Sequence, residues 1–82
     1  MDINTILLQF LIDANISVYE GTIKSLIEMI YWVTSEQIPI NCLVSFIIRN
    51  HYLDKYRLTL VKANGQMLVK INVYKNSRSS FF

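Results

Sequence analysis

From Ile3 to His51 the apolar residues recur every three or four positions, and from Tyr56 onward they alternate with polar ones. The first period is that of helices with one buried side, the second that of a strand with one buried face. Three helices and a hairpin follow. The first helix spans about Asn4 to Asp13, with Asp2 or Asn4 as its N-cap. Ile3, Leu7, Phe10, Leu11 and Ala14 share one side of it, but Ile6, Leu8 and Ile12 make it apolar nearly all round. Such a helix is either central to a core or half of a subunit interface.

Asn15-Ile16-Ser17 breaks that helix. The second begins near Ser17, which has capping-box spacing to Glu20, or near Thr22, just after Gly21, and ends near Thr34. Its buried stripe is Ile23, Leu26, Ile27, Ile30 and Tyr31, with Lys24 and Glu28 as an i, i+4 pair on the wet side. Met29 and Trp32 widen the apolar surface beyond one stripe. Pro39 suits the start of a helix, so the third runs from about Ile40 to Tyr52. Ile40, Leu43, Val44, Ile47 and His51 face inward by period, while Asn41, Ser45, Arg49 and Tyr52 share the other side.

Asn64-Gly65 between two alternating runs marks a two-residue hairpin turn with positive φ at both central positions. A turn there sets Ala63 against Gln66, Leu60 against Val69, Leu58 against Ile71 and Tyr56 against Val73. The other face then pairs Thr59 with Lys70 and Arg57 with Asn72. Turn chemistry and alternation agree on one register. The expected fold is α+β, three helices followed by a C-terminal antiparallel hairpin. Residues 1–75 form one domain, and 76–82 a flexible tail.

Composition sharpens this picture. Of the 82 residues 52% are apolar and 17% charged, below the roughly 25% charged of ordinary domains. Twelve are Ile and two are Ala. So many large side chains on so small a chain predict an exposed apolar patch, covered by a second copy in a homodimer or by another protein. Ile6, Phe10, Ile12, Met29, Trp32 and Phe82 are the candidates for that interface. Phe81-Phe82 would be a docking end or a disordered one.

The longest uncharged run, residues 37–48, is too short for the roughly 20 apolar residues of a membrane span. The N-terminal apolar stretch lacks the basic flank of a signal peptide. The single cysteine, Cys42, allows no internal disulfide, which fits a reducing, cytoplasmic setting.

Charge is divided by position. Residues 1–48 hold one lysine against five carboxylates, a net of −4, and residues 49–82 seven cations against Asp54, a net of +6. Such asymmetry favours a polyanionic partner for the basic half. It also suits two copies packing acidic front to basic back. Lysines on the outer face of a hairpin, such as Lys62 and Lys70, equally serve as solvated guards of a strand edge.

Catalytic constellations are missing. His51 and Cys42 are about 13.5 Å apart along one helix, too far for a thiolate–imidazole pair. The carboxylates lie on separate elements and the two glycines make no phosphate loop. An enzyme, a cofactor and a metal site are therefore not expected.

Two helices, a short connector, a helix starting after Pro39 and a hairpin closed by Asn64-Gly65 resemble the winged helix-turn-helix domains, over about Thr22 to Tyr74. The resemblance implies DNA binding, with the third helix in the major groove and the wing on the backbone. By position, Asn41, Ser45 and Arg49 would read bases, and Lys55, Arg57, Lys62 and Lys70 would meet phosphates. Tyr52, beside basic residues, could stack on bases of a single strand. The expected function is a small DNA-binding regulator or accessory protein. The alternative is a protein-binding module or inhibitor of the phage or plasmid type, anchored by its apolar excess and steered by its charge division.

Overall fold

The computed structural model describes residues 2–74. The elements, in chain order, are α1 (Ile3–Asp13), β1 (Val18–Thr22), α2 (Ile23–Thr34), α3 (Ile40–Arg49), β2 (Tyr52–Leu53), β3 (Tyr56–Ala63) and β4 (Gln66–Val73). The strands form one antiparallel sheet in the order β1-β4-β3-β2. This is an α+β fold, with the three helices on one face of a four-stranded sheet.

Local chemistry sets the helix ends. The Asp2 carboxylate accepts the Thr5 backbone N–H at 2.8 Å and starts α1. That hydrogen bond holds the Asp2 carboxyl below its ordinary pKa. At the other end Asn15 takes a positive φ of 54°, the Ile16 N–H donates to the Leu11 carbonyl at 3.0 Å, and the Asn15 N–H donates to that of Ile12. This Schellman arrangement satisfies carbonyls the helix leaves open. Thr22 caps α2, accepting the Ser25 N–H at 3.1 Å, and Ser35 in the left-handed region ends it. Pro39 precedes α3 with φ −61° and ψ 143°.

The hairpin has the register set by its turn. Asn64 and Gly65 have φ of 53° and 76°, and all four expected inner-face pairs are present. Two elements differ from the sequence expectation. Residues 18–22, expected at or just before the start of the second helix, form β1 and pair with β4 from Val18–Asn72 to Thr22–Leu68. The third helix ends at Arg49 rather than near Tyr52. Both the backbone N–H and the side-chain amide of Asn50 donate to the Phe46 carbonyl at 2.9 Å, closing the helix. His51 then accepts the Leu58 N–H through its carbonyl at 2.8 Å, and Tyr52–Leu53 joins the sheet as β2.

One core lies between the helices and the inner face of the sheet. Ile6, Leu7, Phe10 and Leu11 of α1, Leu26 and Ile30 of α2, and Leu43 and Ile47 of α3 meet Tyr56, Leu58, Val69 and Ile71 there. Most of the apolar girth of α1 is therefore used within the chain, with Ile12 left exposed. Ile40 and His51, expected inward, are exposed. Ile40 is at the first turn of α3, where the chain enters from the surface, and His51 is past its last turn.

Candidate nucleic-acid interface

The eight residues expected to touch nucleic acid do not form one surface. In β3, Tyr56 and Leu58 are buried, so alternation turns Arg57 and Thr59 to the outer face, away from the helices. Asn72 and Lys70 of β4 join them as the partners of Arg57 and Thr59. On the far side of β3, Tyr52 pairs directly with Arg57. Tyr52, Arg57 and Lys70 therefore share the outer face of the sheet, while Lys55 belongs to the turn before β3. Lys62 has the parity of Leu58 and Leu60, which places it on the helix side near the turn.

Asn41, Ser45 and Arg49 are all exposed and line one open groove of about 390 Å³ along α3, with Ile3 of α1 on its rim. This row is as the helical period predicts. Tyr52, expected to extend it, belongs to β2 because the helix closes at Asn50. The row expected to read bases and the cations of the sheet are thus separate.

The outer face gains a second aromatic residue, Tyr74, which the sequence sets near basic residues without marking it as a contact. Tyr74 donates its backbone N–H to the Lys55 carbonyl at 2.6 Å, and its ring meets that of Tyr52 edge to face, with centroids 5.2 Å apart and planes at 62°. Both rings remain open to solvent, at 53% and 44% exposure. The alternation of Tyr74 with Asn72 and Lys70 could have pointed to it. The Asp54-Lys55 turn, with Asp54 at φ 55°, brings β2 back onto β3 and so holds Tyr52 opposite Arg57. Lys55 lies with its Nζ 5.8 Å from the centre of the Tyr56 ring. One carboxylate tempers the face, since Glu20 of β1 stands directly across from Lys70.

The expected protein-interface residues are divided too. Ile6 and Phe10 are buried in the chain's own core and offer nothing to a partner. Ile12, Met29 and Trp32 are exposed, Trp32 at 83%. Beside Trp32 a trough runs between α2 and the 35–39 connector, shaped by Ile27, Glu28, Gln37, Ile38 and Pro39. Phe82 lies outside the described residues.

Cys42 is exposed on α3. Among the described residues no three His, Cys, Asp or Glu side chains gather as metal ligands would, and no helix is long and apolar enough to cross a membrane. Comparison with protein-family models, with curated proteins and with solved structures gives no match for this chain.

Proposed function

We propose that this chain is a small non-enzymatic domain that binds nucleic acid through the outer face of its sheet. The observation that carries the reading is the row Tyr52–Arg57–Asn72 across three strands, with Lys70 and Tyr74 on the same face and Lys55 in the adjoining turn. Cations beside open aromatic rings on a sheet suit a phosphate backbone and the bases it carries. A winged-helix form is supported by the element order, by a helix starting just after Pro39 and by the Asn64-Gly65 wing. In that form Asn41, Ser45 and Arg49 would be a second contact region, on α3.

The test is titration of fluorescent DNA at about 50 and 200 mM salt, where backbone contacts make affinity fall steeply. Arg57→Ala together with Lys55→Ala should remove most of the binding at low salt. Absence of binding to single- or double-stranded DNA at the lower salt would sink the proposal.

A second reading, a protein-binding module, is favoured by Trp32, since a tryptophan 83% exposed beside an apolar trough is a poor use of the residue in a free-standing domain.

A further inference from the structure

The geometry points to single-stranded rather than double-stranded nucleic acid as the ligand of the outer sheet face, with Tyr52 as the ring on which a base stacks. This inference rests on the nucleic-acid reading above and narrows its ligand class. Three observations carry it. The Tyr52 and Tyr74 rings are in contact with each other and still about half exposed, so neither is consumed by the core. Arg57 is the direct cross-strand neighbour of Tyr52, and Lys55 precedes Arg57 by two residues, in the turn that joins β2 to β3. A cation for the phosphate and a ring for the base are thereby carried on paired positions whose Cβ atoms are roughly 5 Å apart.

The arrangement discriminates by access. In a duplex the bases are paired and stacked on one another, and their faces are closed to a side chain lying on the outside. A duplex would use the cations and leave both tyrosines idle. A single strand can turn its bases onto the rings while its backbone follows Arg57 and Lys70, and such stacking is tolerant of sequence. The edge-to-face packing at 62° sets the two rings against each other, so that Tyr74 braces Tyr52.

The experiment compares a fluorescent oligo-dT of about 12 nucleotides with a hairpin duplex of the same length, using the full chain and anisotropy across the salt range. Tighter binding of the single strand, by tenfold or more, is expected. Tyr52→Ala should weaken it at least fivefold without changing the slope of log affinity against log salt, and Tyr52→Phe should retain the wild-type value. Arg57→Ala should instead reduce that slope. Duplex binding equal to or tighter than single-strand binding would overturn the inference and leave the nucleic-acid reading standing. So would a Tyr52→Phe loss as large as that of Tyr52→Ala, or no loss in either. Absence of binding to both probes would remove the inference and the reading together. Far-UV circular dichroism of each variant separates lost binding from lost folding.

Discussion

Arg57 and Lys62 stand on opposite faces of β3, because five residues is an odd number of steps along a strand. Arg57 looks away from the helices and Lys62 toward them. If nucleic acid lies on the outer face, the two substitutions separate cleanly. Arg57→Ala should lower the magnitude of the log–log salt slope by about 0.7, the value for one phosphate of a single strand, whereas Lys62→Ala should leave it unchanged. A larger effect at Lys62 than at Arg57 would place the ligand on the helix side, with Arg49 and the α3 groove.

Tyr19 and Gly21 make a second testable pair. A Cβ at Gly21 would stand 2.7 Å from the Tyr19 hydroxyl oxygen and 3.1 Å from its Cζ. The ring is partly buried against the core and cannot swing clear without loss. Gly21→Ala should therefore destabilise the chain by about 1 kcal/mol, within the ordinary range for a crowded site, measured by urea unfolding.

Burial also raises the pKa of Tyr19 above the usual tyrosine value of about 10. A raised folded-state pKa contributes stability that is whole below the unfolded value and lost as pH climbs through the folded one. Stability should thus decline as pH rises above about 10, and Tyr19→Phe should flatten that part of the decline. An unchanged alkaline limb in the Tyr19→Phe variant would assign it to other groups.

These pairs show how far the chain was legible and where legibility stopped. The hairpin was open to reading because its turn is local: Asn64-Gly65 fixes the reversal, and alternation on both sides fixes which residues face inward. β1 was not, since its partner β4 is nearly fifty residues away and nothing near Val18 announces it. The Ser17 and Glu20 spacing instead imitates a helix start. The end of α3 failed for a smaller reason. His51 and Tyr52 continue the helical period, but the chain turns extended at Asn50, with φ −128° and ψ 97°, while the Asn50 side chain caps the Phe46 carbonyl. That three-residue difference moved Tyr52 from the row of Arg49 to the face of Arg57, and with it the centre of the candidate site. The parity of Lys62 with Leu58 was readable throughout.

The hairpin turn carries its own prediction. Gly65 has open space where a Cβ would go but a φ of +76°, so the obstacle to a side chain is the backbone conformation alone. Gly65→Ala should cost about 1 kcal/mol, and Gly65→Val more, since β-branched residues tolerate that region least. The loss should appear in unfolding midpoints while Tyr52 binding is kept, because the turn is at the far end of β3 from β2. Equal stability of Gly65→Val and wild type would mean that the turn does not need its left-handed pair.

Trp32 decides between the two surfaces. It projects from α2, on the helix side of the sheet, and is the only tryptophan in the chain. An exposed position predicts that iodide quenches its emission freely, and that Trp32→Ala changes stability by no more than about 0.5 kcal/mol. Nucleic acid on the outer face should leave both the emission maximum and the quenching untouched, since the sheet and the core separate the two sites. A partner protein, or a second copy at high concentration, that covers α2 would shift the emission to the blue and shield it from iodide. If added oligonucleotide produces that blue shift at salt-sensitive saturation, the ligand is on the helices, and the outer-face assignment of Tyr52 and Arg57 falls.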